Sequence, residues 1–289
     1  MRPTLSRKQV WGKSPLHHLN HAGKSVNWVY DPEEKDQFYY HIGKKQTKST
    51  MTSLGWTAEN VIYSMNAQSY RSDSFENYKN IKVITAGCSQ TFGIGMNEQS
   101  LWTKRLCDWL DCSHVNLGIP GTDWTGIGKR LSWWIPEFKP EIVCIYAPPT
   151  HRFSWWAVTQ DTEYSTTNYS EEELLKATIN NRHVDPALTP VKYPLLIDIL
   201  DDINVDYYRN SSMEYISNLC KSFNAELYII RRDEHTELGL RVEGDLARDL
   251  SHFGRKTHKN IYERFKEKID SKETFSSRKN WKKSKFAKR

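Results

Sequence analysis

Three residues of this chain carry side chains that together could break an ester bond: Ser89, Asp249 and His252. Ser89 follows an apolar run and Gly87, and a buried strand ending in this way can present a nucleophile at the edge of a sheet. A serine hydroxyl is a poor nucleophile until an imidazole takes its proton, and a carboxylate must hold the tautomer of that imidazole. Asp249 and His252 lie three positions apart, so one loop could supply both groups.

Each of these residues also has a structural explanation when it is taken alone. A serine after a glycine at a strand exit is often a turn residue or a helix cap, and Asp-x-x-His before a helix is often a capping arrangement. Two residues compete for the chemical roles: Cys88, whose thiolate is intrinsically more reactive, and His258, which lies within a predicted helix and which we expect to be exposed. Adjacent residues of a turn point in different directions, so only one of Cys88 and Ser89 can face the site.

Strands and helices alternate from residue 81 onward. The predicted strands are residues 81–85, 114–117, 141–147 and 226–230, and the predicted helices are residues 100–110, 123–134 with Pro136 as the stop, 212–223, and a last one from about residue 257. Continuously apolar strands that alternate with helices predict an α/β fold, a three-layer α/β/α sandwich with a central parallel sheet. Ligands of such sheets bind at the carboxyl ends of the strands, where we expect the Ser89 turn and loops 118–121 and 148–152 to meet.

The composition divides the chain into regions. Residues 1–60 are polar without clear periodicity, and they predict an irregular N-terminal extension over a main domain of residues 61–273. Residues 157–210 are polar with scattered prolines, which is typical of a lid or an insertion beside the site. Residues 274–289 hold seven basic side chains and no acidic one, and they predict a disordered basic tail.

Charge and hydropathy exclude several classes of protein. The net charge of +6 arises in the tail, which leaves the rest of the chain near −1. A nucleic-acid-binding domain is therefore not expected, and nucleic acid would be contacted only through residues 274–289. No segment reaches the roughly 18 apolar residues of a membrane span, and no apolar segment follows the charged N-terminus as in a signal peptide. The five cysteines form no C-x-x-C pair, which predicts reduced thiols and the cytoplasm of the producing cell.

A metal site has one candidate in the sequence, the histidines His17, His18 and His21. Their spacing would place two imidazoles on one helical face, but no cysteine or clear carboxylate partner accompanies them. We therefore expect no metal and no cofactor.

The motifs around Ser89 and His252 resemble those of the SGNH/GDSL hydrolases, esterases and acyl hydrolases on a flavodoxin-like sandwich. More finely, they resemble divergent members encoded by tailed phages. The resemblance covers about residues 60–270. The first block, Gly-x-Ser, matches residues 87–89, with Cys88 where aspartate is commoner. The second, Asn-x-x-x-x-Gly, matches residues 116–121, and the last, Asp-x-x-His, matches residues 249–252.

This resemblance implies a role for each matched residue. Ser89 would be the nucleophile, His252 the base and Asp249 the group that orients it, while the backbone N–H groups of Ser89 and Gly121 would bind the oxyanion. The segment from Asn66 to Arg71 is similar to a lead-in found in some members, with serine in place of its glycine.

The third block of the family departs from its pattern here. Gly-x-Asn should follow the strand at residues 141–147, and this chain reads Ala-Pro-Pro-Thr-His-Arg over residues 147–152. The asparagine that would donate its side-chain N–H to the oxyanion is absent, and Thr150 or Arg152 would have to replace it. Loss of one such donor costs on the order of 3–4 kcal/mol of transition-state stabilisation. Either the oxyanion hole is rebuilt or the activity is weak.

The aromatic pair Trp155 and Trp156 follows this loop and could form a flat wall for a sugar or an acyl chain, with Arg152 beside it; packing is the alternative explanation. The sequence thus predicts an acyl or acetyl esterase acting on a small-molecule or carbohydrate ester, with carbohydrate deacetylation as the leading substrate class. Two alternatives stay open: a non-catalytic binding or structural protein of the same fold, for example a virion component, and an acyl transferase that uses Cys88. The oligomeric state is not predicted.

Overall fold

The computed structural model of the chain describes residues 21–29, 33–76, 80–149, 154–157, 162–165 and 202–275. Strands and helices alternate over most of this length. The strands are β1 (Ser25–Val26), β2 (Tyr63–Ser64), β3 (Val83–Gly87), β4 (Ile142–Tyr146), β5 (Ser154–Ala157), β6 (Thr162–Ser165) and β7 (Glu226–Ile230). The helices are α1 (Glu33–Gly43), α2 (Lys45–Ser53), α3 (Ser89–Phe92), α4 (Trp102–Leu110), α5 (Trp124–Phe138), α6 (Asp202–Ser222), α7 (Arg232–Glu237) and α8 (Arg255–Asp270).

The central sheet is parallel and has the strand order β3-β4-β7. The segment after α4 extends its edge, because Thr85 donates its N–H to Val115 O at 2.9 Å and accepts from Leu117 N at 2.8 Å. Only Asn116 pairs with Thr85 as an isolated bridge, so the strand predicted at residues 114–117 is reduced to one bridge. The carboxyl ends of the strands therefore meet at one edge, as predicted.

Helices cover the sheet on both faces. Alternate residues of each strand belong to two separate hydrophobic clusters, because successive side chains of a strand point to opposite faces. On one face Ile84, Ile145 and Ile229 pack with α5 and α6, and on the other Cys144 and Tyr228 pack with α4 and α8. The predicted three-layer α/β/α sandwich with a central parallel sheet is confirmed.

The N-terminal region differs from the prediction of an irregular extension. Residues 33–43 and 45–53 form α1 and α2, and β1 pairs with β2 in an antiparallel ladder, Ser25 opposite Ser64. The helices bury few side chains, chiefly Phe38 and Met51, which join the first cluster. With so few apolar positions, the helical period is too weak to be recognised in the sequence.

Two helices extend beyond their predicted bounds. Helix α5 continues through Pro136, the predicted stop, to Phe138, and the last turn is closed by Lys139 N, which donates to Ile135 O at 2.8 Å. Helix α6 begins at Asp202, within the segment predicted as a lid or insertion at residues 157–210. The short β5–β6 hairpin pairs Trp155 with Tyr164; most of the remaining segment lies outside the described residues.

All five cysteines are free thiols. No helix in the described ranges combines the length and the hydropathy needed to cross a membrane.

Candidate active site

The turn after β3 carries Ser89 at the start of the one-turn helix α3. Gly87 is required just before it, because a Cβ there would lie 2.1 Å from Thr91 Oγ1 and 2.7 Å from Tyr146 O. The helical hydrogen bonds begin only with Thr91 N and Phe92 N, which both donate to Cys88 O at 2.9 Å. The backbone N–H of Ser89 has no acceptor among the described residues, as is typical of the first turn of a helix.

The turn at residues 246–253 carries Asp249 and His252. Asp249 Oδ2 accepts the Nδ1–H of His252 at 2.5 Å, and its Oδ1 accepts the backbone N–H groups of Ser251 and His252, each at 3.0 Å. Asp249 is buried, whereas the His252 side chain is 26% exposed. The turn is closed by Ala247 N, which donates to His252 O at 2.9 Å. One local structure thus orients the imidazole through its Nδ1.

The electrostatics of the pair favour a charged carboxylate. Burial raises the pKa of Asp249. The hydrogen bond and the positive charge of His252, together with the two backbone N–H groups, lower this pKa by more than burial raises it, so it lies below its ordinary value. A carboxylate that stays ionised can hold the Nδ1–H tautomer and stabilise an imidazolium.

His258, the competing base, is fully buried, and the prediction that it is exposed is wrong. It lies at the first turns of α8, where its Nδ1 accepts the Trp102 N–H at 3.3 Å. Burial, with nearby positive charge, lowers its pKa to about 3. Such a neutral, enclosed imidazole has no access to a substrate.

Two hydrogen bonds, one to a side-chain oxygen and one to a backbone carbonyl, join the serine turn to the Asp-His turn. Gln90 Oε1 accepts the Phe253 N–H at 3.1 Å, and Gly95 O accepts the Arg248 N–H at 2.9 Å. Gly95 has φ +69° and faces the second turn so closely that a Cβ would lie 2.9 Å from Ala247 Cβ. Gln90 and Phe253, the residues directly after Ser89 and His252, are therefore in direct contact, although they lie about 160 positions apart in sequence.

Ser89 Oγ and His252 Nε2 do not form a hydrogen bond with each other in this structure. The Ser89 hydroxyl has Cys88 Sγ at 4.0 Å as its partner among the described residues. Serine–histidine hydrogen bonds are often long in free enzymes and shorten when substrate binds. The structure thus brings the two turns together without completing the contact.

The second motif connects the serine turn to the loop that contains Gly121. Asn116 is fully buried; its Nδ2 donates to Thr91 O at 2.8 Å and its Oδ1 accepts the Gly118 N–H at 2.9 Å. Ile119 N donates to Gly87 O at 3.1 Å, so the loop runs beside the end of β3.

Gly121 lies in a tight turn that explains its residue type. Thr122 N donates to Ile119 O at 3.3 Å, and Gly121 has φ +79°. A turn with proline in its second position and a positive φ in its third is of type II and favours glycine there. The backbone N–H of Gly121 donates to no backbone carbonyl among the described residues.

Several predicted residues cannot be placed. Thr150 and Arg152 lie outside the described residues, as do His17 and His18. Trp155 and Trp156 lie in β5, and only their backbone is described. Their roles stay predictions.

One cluster of metal-ligand type occurs in the described part of the chain: Asp73, Glu98 and His114. Both ring nitrogens of His114 already have partners, Glu98 Oε1 and Thr103 Oγ1, each at 2.9 Å. Asp73 Oδ2 accepts the His114 N–H at 2.8 Å. These donor atoms form a hydrogen-bond network that fixes the loop before Asn116.

Sequence reasoning missed the residues that support the two turns. Arg71 is fully buried and donates to Gly93 O and Met96 O, each at 2.7 Å, which holds the segment after α3. Arg248 is also fully buried, directly before Asp249. Arg71 ends the lead-in segment that the sequence matched and Arg248 precedes Asp249, but neither position reveals the acceptors of the guanidinium.

A cavity of about 500 Å³ lies beside the N-terminal region and is lined by residues that include His21, Trp28, Tyr39 and Glu59. None of the candidate catalytic residues is part of its lining.

No protein-family model matches the chain, and no curated protein matches it. Solved structures do match. The crystal structure of TesA is 16% identical, with a TM-score of 0.32 over 65% of this chain and 98% of TesA. A family 3 carbohydrate esterase of Clostridium thermocellum is 15% identical, with a TM-score of 0.33 over 67% of this chain and 97% of the esterase. A variant of Axe2, an acetyl xylan esterase from Geobacillus stearothermophilus, is 13% identical, with a TM-score of 0.31 over 65% and 94%. Similarity this remote establishes neither an activity nor a substrate for this chain.

Proposed function

We propose that this chain is a serine-dependent ester hydrolase of the SGNH/GDSL type. The observation that carries the proposal is the Asp249–His252 hydrogen bond, formed in a turn that is itself hydrogen-bonded to the turn of Ser89. A capping arrangement alone would explain the bonds from Asp249 to backbone N–H groups. It would not explain why the carboxylate also holds the imidazole of His252, in a turn that is hydrogen-bonded to the serine turn at the carboxyl end of a parallel strand.

In this mechanism Ser89 Oγ attacks the acyl carbonyl while His252 Nε2 takes the hydroxyl proton. The carbonyl π electrons move to the oxygen, and the tetrahedral intermediate collapses as His252 returns the proton to the departing alcohol. Water then attacks the acyl-serine ester with the same base, which releases the acid and restores Ser89. Asp249 keeps Nδ1 protonated and stabilises the imidazolium in both steps.

The oxyanion would be held by the backbone N–H groups of Ser89 and Gly121. Support comes from the free N–H at the start of α3 and from the Gly121 turn, which the Asn116 hydrogen bonds fix beside it. Thr150 or Arg152 is the proposed third donor in place of the missing asparagine. A hole with two backbone donors is expected to be slower than one with three by about 10²–10³-fold.

The substrate class is proposed from the sequence motifs. An acetylated carbohydrate would stack on Trp155 or Trp156 and place its acetyl group at Ser89, with Arg152 available to its hydroxyl groups. Association with a virion, and contact with nucleic acid through residues 274–289, stay predictions.

The test is hydrolysis of p-nitrophenyl acetate together with labelling by a fluorophosphonate probe. Ser89→Ala and His252→Ala should each lower kcat by about 10³-fold or more and abolish labelling, because a triad acts as a unit. Ser222→Ala, which removes an exposed hydroxyl bonded to Leu219 O, is the matched control and should change neither.

An unchanged rate of p-nitrophenyl acetate hydrolysis in Ser89→Ala would refute the mechanism. If Cys88→Ala abolished that rate instead, the acyl transferase alternative would be favoured. A chain that no serine-directed probe labels, and that forms a stable complex with a partner, would be a non-catalytic member of the fold.

A further inference from the structure

We propose that Arg248 is a positioning residue for the Asp249–His252 pair, and that the N-terminal segment (residues 21–29 and 33–63) holds it in place. This inference rests on the proposed function, because it assigns a device that supports the same site. According to this proposal, residues of the N-terminal segment, which carries none of the catalytic motifs, support the active site.

The Arg248 guanidinium is enclosed by the N-terminal segment. Its Nη1 donates to Ala58 O at 3.0 Å, and its Nη2 donates to Glu34 Oε1 at 3.0 Å and to Asn27 O. Its carbon lies 3.7 Å from the centre of the Trp28 ring. Lysine could not reproduce this, because only a planar guanidinium can donate in several fixed directions while stacking on a ring.

Glu34 is fixed as firmly as its partner. Besides Arg248, its carboxylate accepts the Tyr63 hydroxyl at 2.6 Å and the Val29 N–H at 3.0 Å. Both members of the ion pair are buried. A buried cation that loses its counter-charge is strongly unfavourable, so the pair ties α1 to the turn of Asp249.

Two further contacts hold the same turn against the N-terminal segment. The Trp56 indole N–H donates to Leu246 O at 2.9 Å. Arg255 stacks on the Trp56 ring at 3.9 Å and donates to Leu54 O at 2.9 Å. The N-terminal segment thus contacts Leu246, before the catalytic pair, and Arg255, after it.

The turn needs such support because of its own backbone. Leu250, between Asp249 and His252, has φ +53°, a left-handed conformation that costs a non-glycine residue about 1–3 kcal/mol. Strained residues keep their conformation only where the surroundings over-determine it. Arg248 supplies that constraint. The N-terminal segment fixes its side chain, and Gly95 O accepts its backbone N–H. Because Arg248 directly precedes Asp249 in the chain, fixing Arg248 also limits the position of Asp249.

The experiment measures the tautomer of His252 and the kinetics in the full chain. Nitrogen-15 shifts of labelled histidines report whether Nδ1 carries the proton, and the His252 signals are assigned by their absence from His252→Ala. Arg248→Met and the isosteric Glu34→Gln should convert a single Nδ1–H tautomer into a mixture. They should also lower kcat for p-nitrophenyl acetate by about 10-fold to 100-fold with little change in KM, since small misplacements of catalytic groups have effects of this size. Arg248→Lys should give an intermediate loss.

Lys268→Met is the matched control. Lys268 is another buried cation, paired with Glu234 and Glu273 at the far end of α8, so its removal destabilises the fold without touching the turn. It should keep the His252 tautomer and kcat even where its melting temperature falls as far as that of Arg248→Met.

Retention of the single tautomer in both Arg248→Met and Glu34→Gln would overturn the proposal. Equal loss of that tautomer in Lys268→Met would also overturn it, because the effect would then be one of general stability. If the unmodified chain hydrolyses no ester, the proposed function fails, and the tautomer measurement still decides whether Arg248 positions the pair.

Discussion

Asp249→Asn is the substitution that most directly probes the candidate site. The asparagine keeps one oxygen in the position of Oδ1, so the backbone N–H groups of Ser251 and His252 retain their acceptor. The other carboxylate oxygen becomes an NH₂ group that faces His252 Nδ1. A donor in that position requires Nδ1 to be the unprotonated nitrogen, and the proton of the neutral ring then moves to Nε2.

With Nε2 protonated, His252 cannot accept the proton of Ser89. The corresponding change in a serine protease lowers kcat about 10⁴-fold with the geometry intact. At 1.36 kcal/mol for each tenfold, this equals about 5.4 kcal/mol of transition-state stabilisation. The folded state should lose far less, because only one of the three hydrogen bonds to the side chain is replaced.

The assay is kcat for p-nitrophenyl acetate beside thermal unfolding, with Asp245→Asn as the control. Asp245 is a buried aspartate whose Oδ2 accepts the Thr257 N–H at 2.7 Å, and among the described residues its carboxylate forms no hydrogen bond with His252. We expect a loss of about 10⁴-fold in Asp249→Asn and nearly full activity in Asp245→Asn. A loss below about tenfold in Asp249→Asn would show that the Asp249–His252 bond is structural only.

Gly95→Ala should lower kcat by displacing the turn of Asp249, because the new Cβ would lie 2.9 Å from Arg248 N and 3.2 Å from Asp249 N. Gly239→Ala, also at positive φ but with nothing within 4 Å, should cost stability and leave kcat unchanged; equal kinetic effects in both would refute the contact. His258 should make the fold sensitive to acid. The pKa of His258 is lowered from 6.5 to about 3, so between these values the unfolded chain binds a proton that the folded chain excludes. The free energy of unfolding is therefore highest above pH 6.5 with respect to this group, and it decreases as the pH falls toward 3. Between pH 7 and pH 5 this removes about 2 kcal/mol, and urea unfolding of His258→Asn should lack that part of the slope; an unchanged slope would contradict the burial argument.

The sheet could be predicted well because its signal is local. The apolar run at residues 226–230 matches β7 residue for residue, and β3 and β4 lie within two residues of their predicted positions. Helices α1 and α2 were not predicted, since they are held by a few buried side chains and by contacts with distant residues rather than by a regular apolar face.

The candidate site divides in the same way. Asp249 and His252 are three positions apart, so one loop could be expected to hold both; the resemblance implied their pairing, and the structure contains that hydrogen bond. The support of Arg248 by Glu34 crosses 214 positions, and nothing in either local sequence indicates the other. The exposure of His258 was misjudged because a histidine on a helix with many lysines looks solvated until α4 is packed against it.

The distance in sequence between Glu34 and Arg248 has a consequence for biosynthesis. Since 214 positions separate them, a ribosome that adds 5–20 residues per second releases the partner of Glu34 roughly 10–40 s after Glu34 itself. During that interval the turn of Asp249 does not yet exist, and Glu34 lacks its buried cation. The Asp249–His252 pair, and its support by Glu34, therefore cannot form until the ribosome has passed residue 252.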